Sequence, residues 1–171
     1  HVPVGRLYHL RHPPAGKASG AHATSRPLTA GDVVLLVGSS TGGPQALQRV
    51  VAGLPPDLPA ALVLVQHMPP QFTSTLAERL NASSAFAIHE SDGTETLRAG
   101  EGLLAPGGYH LVIHPSGDVS LSSAPPRNHV RPSVDVTFES AAEAFGRAIV
   151  GVILTGMGSD GTAGARRIKA S

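Results

Sequence analysis

The sequence predicts an α/β domain, a doubly wound and mostly parallel sheet with helices on both faces and a small antiparallel insertion. Three observations lead there. The runs Val33-Val34-Leu35-Leu36-Val37, Leu62-Val63-Leu64-Val65 and Ile149-Val150-Gly151-Val152-Ile153-Leu154 have the length and unbroken apolarity of strands covered on both faces. Segments with helical spacing of apolar residues follow the first two runs and flank the third, so strand and helix signals alternate. Each run also spills within a few residues onto a different polar type, Ser40, His67 and Asp160. In parallel strands those three positions share one sheet edge, the edge where open α/β sheets bind ligands.

Residues 1–31 hold Pro3, Pro13, Pro14 and Pro27, interspersed glycines and serines, and His1, His9, His12 and His22, with no apolar period. They read as a linker or flexible lead-in with solvated histidines, and the folded domain is expected over 32–171. After the first strand, Pro44 suits the first turn of a helix that runs to about Ala52, with Leu47, Val50 and Val51 on its apolar face. Residues 61–65 form the second strand, and a helix is expected over 72–81 with Phe72, Leu76 and Leu80 on one stripe. Between 86 and 121 come β-like pieces, Phe86–His89, Gly102–Ala105, His110–Ile113 and Val119–Leu121. Asp92-Gly93, Pro106-Gly107-Gly108 and Ser116-Gly117-Asp118 separate them as turns, and a small antiparallel insertion or hairpin is expected in this stretch. Ser133 can cap a helix carrying Val134, Phe138, Ala141 and Phe145. The third buried strand, a glycine-rich turn and a helix from about 162 complete the order. In an alternating pattern a strand would follow, so the domain is expected to be truncated at its C-terminus.

Composition narrows the function. A chain of 171 residues with 41% hydrophobic and 15% charged residues fits one globular domain. The net charge is +1 and the basic residues are scattered, so no nucleic acid partner is indicated. There is no cysteine, which excludes disulfides, thiolate nucleophiles and zinc-thiolate sites. No apolar stretch approaches the roughly 20 residues that cross a bilayer, and the start lacks the pattern of a secretory signal. Neither membrane insertion nor secretion is expected, and a cytoplasmic setting fits.

Gly38-Ser39-Ser40-Thr41-Gly42 matches G-x-S-x-G between a predicted strand and a predicted helix, the context of a nucleophile elbow. Ser40 is then the nucleophile, and the amides after it, beginning with Thr41, lie at a helix N-terminus that favours a developing oxyanion. A phosphate-binding turn or a purely structural one remains open, although G-x-G-x-x-G and the Gly-Lys-Ser/Thr of a P-loop are both missing. His67 stands where an imidazole can take the serine proton; the bland reading is a surface histidine of a βα loop. Asp160, in Leu154-Thr155-Gly156-Met157-Gly158-Ser159-Asp160-Gly161, can orient that imidazole or simply cap a helix. His110 and His114 lack a third ligand at metal spacing, so neither a metal nor another cofactor is expected.

Together the segments Val37–Pro44, Gln66–Phe72, His129–Asp135 and Gly151–Gly161 resemble the catalytic domain of the bacterial chemotaxis protein-glutamate methylesterase family, in the family's order. The likeness extends over residues 33–170. It implies Ser40 as nucleophile, His67 as general base, Asp160 as its orienting carboxylate and the Met157 amide in the oxyanion hole. It also implies a carboxylic ester hydrolase that demethylates glutamate methyl esters on the cytoplasmic helices of chemoreceptors, with deamidation of receptor glutamines in some members. Arg131 becomes a contact for acidic receptor side chains or a loop-positioning residue, with a salt bridge to a nearby carboxylate as the structural alternative. Met68 and Pro69 are expected to line the substrate cleft, with a rigid loop entering a helix as the structural alternative. Full-length members carry an N-terminal receiver domain, which the residues before Asp32 are too few to hold. Two competing functions stand beside the hydrolase: a noncatalytic module of the same fold that binds receptors or signalling proteins, and a phosphate-binding α/β domain.

Overall fold

A computed structural model describes residues 22–171. His1, His9, His12, Pro3, Pro13 and Pro14 lie outside them. In chain order the elements are β1 (Arg26–Pro27), β2 (Val33–Ser39), α1 (Gly43–Gly53), β3 (Ala60–Gln66), α2 (Pro70–Ser83), β4 (Ala87–Glu90), β5 (Arg98–Ala99) and β6 (Glu101–Leu104), then β7 (His110–Ile113), β8 (Val119–Ser122), α3 (Val134–Phe145), β9 (Ile149–Ile153) and α4 (Thr162–Ala170).

The main sheet has the order β4-β6-β3-β2-β9, with every neighbouring pair parallel. Period-two alternation explains why its central strands are apolar throughout. Val34 and Leu36 of β2, with Ala61, Val63 and Val65 of β3, face a core shared with Phe138 and Ala141 of α3. Val37 of β2, with Leu62 and Leu64 of β3, faces the opposite core, filled by Leu47 and Val51 of α1, Leu76 and Leu80 of α2, and Phe86. Helices therefore cover both faces, as the doubly wound class requires. Because β3 continues the chain on one side of β2 and β9 returns to the other, the strand order reverses at β2, and a crevice opens at its carboxyl end.

Four details depart from expectation. Within 86–121 the expected hairpin is β7–β8, and β5 also pairs antiparallel, with β1, but β4 and β6 join the main sheet as parallel strands. Both pieces are β-like in the sequence, but their parallel pairing is not; Gly102 fits that packing closely, since an added Cβ would stand 2.8 Å from Ile88 Cγ1 and 3.3 Å from Leu62 Cδ2. Among the described residues the third run, β9, stands at the edge of the sheet, with Val150 and Ile153 each 47% exposed. Helix α2 starts at Pro70, two residues before the expected start, which leaves Phe72 on its outside at 53% exposure. Thr73 turns inward instead, its hydroxyl bonded to Pro70 O at 3.0 Å and to Glu90. Finally, Arg26–Pro27 pairs antiparallel with Arg98–Ala99, and the Arg26 guanidinium grips Asp32 at 2.6 Å through both nitrogens. The Asp32 carboxyl is held well below the usual carboxylate range by that grip and by the Thr29 amide, which together outweigh its desolvation.

Candidate active site

Ser40 is the first residue past β2. Its amide donates to Thr155 O at 2.9 Å, its carbonyl accepts from Gly43 N at 2.8 Å, and Gly42 at φ 78 turns the chain into α1. Thr155 Oγ1 holds the Thr41 carbonyl at 3.0 Å. The 155–156 segment thus lies directly on the serine, close enough that a Cβ on Gly156 would stand 2.6 Å from Ser40 Cβ.

His67 follows β3 in the same way, its amide bonded to Ser39 O at 3.1 Å. Its Nε2 lies 2.7 Å from Asp160 Oδ2, and both side chains are largely buried. Asp160 comes from the loop after β9 but is anchored on the first turn of α3. The Val134 amide donates to Oδ2 at 2.6 Å, Ser133 Oγ to Oδ1 at 2.7 Å and Asn128 Nδ2 to Oδ1 at 3.0 Å. A carboxylate at a helix N-terminus is favoured by the exposed amides there. Burial pushes the Asp160 carboxyl up, but the bonds from His67, Ser133, Asn128 and Val134 more than offset it and hold the group well below the ordinary range. An ionised carboxylate can only accept, so in this pair Nε2 is the donor and the neutral ring carries no proton on Nδ1.

The sheet edge therefore gathers all three side chains, which line one cavity of about 70 Å³ together with Gly156, Met157 and Gly158. Among the described residues Ser40 Oγ makes no hydrogen bond to His67, whose ring is bonded to Asp160. The Thr41 and Met157 amides have no acceptor among them either; Met157 lines the cavity, whereas Thr41 lies outside its lining. Met157 presents its side chain outward, 82% exposed.

Met68, Pro69 and Arg131 line an open groove of about 420 Å³ that begins at His67, with Pro70, Gly108, Pro126 and Val130. Arg131 forms no ion pair with a carboxylate among the described residues. Its Nη1 holds the Ser123 and Ala124 carbonyls at 2.8 and 2.9 Å, the loop-positioning arrangement. A larger cavity of about 570 Å³ lies at the amino end of β2, lined by Asp32, Val34, Thr96 and Phe145, and contains none of the three side chains. His110 and His114 are bonded apart: His110 is buried between Ser133 N and Pro125 O, while His114 meets Ser120 Oγ.

Sequence reasoning missed Asn128, the second role of Ser133 as a ligand of Asp160, and Gln66. The only signal was local: Asn128 and Ser133 precede a helix start, where polar side chains normally satisfy their own helix. Nothing in the spacing ties them to a carboxylate 32 residues on from Asn128 and 27 on from Ser133.

A doubly wound parallel sheet carrying serine, histidine and aspartate at its switch point is the arrangement of a serine-hydrolase type of α/β domain, and its chain order Ser, His, Asp differs from the Ser, Asp, His order of the α/β-hydrolases. The CheB methylesterase family pattern matches residues 35–171, and the chain belongs to that family. It is 48% identical over 136 residues to a protein-glutamate methylesterase/protein-glutamine glutaminase of Symbiobacterium thermophilum, covering 80% of this chain and 38% of the relative. It is 48% identical over 141 residues to a relative of the same name from Archaeoglobus fulgidus, covering 81% of this chain and 40% of that one. The chain thus spans about two fifths of the length of these curated relatives. The crystal structure of the Thermotoga maritima CheB methylesterase catalytic domain superposes with a TM-score of 0.77 at 42% identity, over 81% of this chain and 75% of that one.

Proposed function

We propose that this domain is a cytoplasmic protein-glutamate methylesterase that removes methyl groups from glutamate methyl esters on chemoreceptor helices and deamidates receptor glutamines, with no cofactor. The observation that carries the reading is the His67–Asp160 pair at 2.7 Å, set beside Ser40 at the carboxyl edge of the sheet. Relatives named for both activities support it.

In the reaction His67 Nδ1 takes the Ser40 proton as Oγ attacks the γ-carbonyl carbon. The carbonyl π-electrons move onto oxygen, where the free Thr41 and Met157 amides are the available donors. The tetrahedral adduct expels methoxide, which leaves as methanol with the proton from His67; from a glutamine, ammonia leaves instead. Water, losing a proton to the same imidazole, attacks the acyl-serine carbon; the adduct collapses with cleavage of its bond to Ser40 Oγ, which takes the proton back from His67, and the glutamate is released. Asp160, kept ionised by its helix-end bonds, stabilises the imidazolium at each transfer. In this reading the Ser40–His67 hydrogen bond forms when substrate binds, as catalytic hydrogen bonds commonly do in the Michaelis complex. Met68, Pro69 and Arg131 border the path by which a receptor helix reaches the serine.

The test is methanol release from a methyl-esterified chemoreceptor signalling fragment. Ser40→Ala is expected to lower turnover by at least about 10³-fold while receptor capture persists. Parent-level turnover in Ser40→Ala removes the serine from the mechanism, and capture without turnover by the parent protein leaves a noncatalytic binding module.

A further inference from the structure

The strands that deliver nucleophile and base stop pairing just short of them. The parallel register of β2 with β3 ends at Ser39 opposite Gln66, after which one chain enters α1 and the other the loop before α2. One side chain bridges the divergence. Gln66, 2% exposed, donates from Nε2 to the Ser40 carbonyl and to the His67 carbonyl, both at 2.9 Å, and accepts from Ser39 Oγ at 2.7 Å on Oε1. A primary amide has two N–H donors on one nitrogen and an acceptor beside it. Leucine offers none of these, and an ionised glutamate only accepts. The space is shaped to match: a Cβ on Gly43 would stand 1.8 Å from Gln66 Oε1 and 2.8 Å from its Cδ. Gly43 has an ordinary helical φ, so room for the amide, not backbone freedom, is what its bare Cα supplies.

We infer that Gln66 is a positioning residue that sets the separation of the Ser40 hydroxyl and the His67 ring, and that Gly43 is glycine to admit it. The inference rests on the hydrolytic reading above. Misplacing reacting groups by about 1 Å costs on the order of 100-fold, and the loss falls on kcat because the groove that holds substrate is untouched.

The experiment measures ester turnover by Gln66→Leu, Gln66→Glu, Gln66→Ala, Gly43→Ala and the Gly43→Ala/Gln66→Ala pair, with Ser40→Ala alongside. Gln66→Leu and Gln66→Glu are expected to lower kcat about 10- to 100-fold with KM within about twofold. Relative to the parent at each pH, Gln66→Glu regains part of its kcat on acidification, because the protonated carboxyl recovers one donor, while Gln66→Leu does not. Gly43→Ala alone lowers kcat comparably but adds less than about threefold once Gln66 is alanine. The inference is overturned if Gln66→Leu and Gln66→Glu keep kcat within about threefold of the parent while Ser40→Ala is inactive. It is equally overturned if the Gly43 and Gln66 losses multiply independently. Should Gln66→Leu lose its circular-dichroism signature, Gln66→Glu and the Gly43 pair decide. Turnover by Ser40→Ala, in contrast, sinks the hydrolytic reading itself.

Discussion

The Asn128 amide reaches across 32 positions of sequence to donate to Asp160 Oδ1 at 3.0 Å. The same nitrogen donates to Asp135 Oδ2 at 2.9 Å, while Asp135 Oδ1 takes the Gly164 amide of α4 at 2.7 Å. One amide therefore stands between two carboxylates and supplies the positive end of a dipole to both. Asn128→Ala removes a charge-assisted bond and is expected to lower kcat about tenfold. Asn128→Asp replaces the donor by a third carboxylate and is expected to be worse than alanine at neutral pH. Equal activities for the two variants would mean the amide does not serve Asp160, and steady-state ester hydrolysis decides.

Acid should attack the fold through Asp160. Its carboxyl is held below the model-compound value of 3.8, so the folded state binds fewer protons than the unfolded chain as the pH falls past that value. The stabilisation is complete above the unfolded value and is lost as pH drops toward the folded one. Urea midpoints of the parent are expected to fall steeply below about pH 4, and those of Asp160→Asn to fall less steeply over the same window. Parallel curves would show that Asp160 contributes no proton linkage.

Gly156 faces Ser40 Cβ too closely to carry a side chain, since its own Cβ would stand 2.6 Å away. Gly156→Ala must lift the 155–157 segment off the serine and with it the free Met157 amide. The expectation is a kcat loss of about 100-fold with the urea midpoint little changed, because the segment borders a cavity and not the core. A variant that keeps full turnover would remove Met157 from the oxyanion site.

The sheet edge was legible before any coordinates because it needs only strand ends: three apolar runs, each followed by Ser40, His67 or Asp160, converge in any parallel arrangement. The cap at Ser133 was legible too, since its hydroxyl accepts from Val136 N as an N-cap should. What escaped was non-local. Gln66 directly follows an apolar run and gives no sign that its amide points at two carbonyls. Thr73 replaced Phe72 on the inner face of α2 because its hydroxyl found partners there, a choice that periodicity alone cannot weigh. The edge position of β9 depends on which strands flank it, and an apolar run does not encode its neighbours.

Gly38 opens the elbow, yet its conformation is not left-handed, so the turn is not what demands glycine there. A Cβ at Gly38 would stand 2.5 Å from Val134 Cγ1 and 2.8 Å from Cγ2. Val134 begins α3, and its amide donates to Asp160 Oδ2 at 2.6 Å. The bare Cα of Gly38 therefore lets the helix end approach the sheet closely enough to hold the carboxylate beside His67. Gly38→Ala overpacks that contact and is expected to destabilise the domain by about 1–3 kcal/mol while also lowering kcat through displacement of Asp160. Val134→Ala in the same chain removes both clashing methyls, so the double variant should regain stability and turnover relative to Gly38→Ala alone. Urea unfolding and ester hydrolysis on the four members of the cycle test it: losses that simply add would place the constraint on Gly38 somewhere other than Val134.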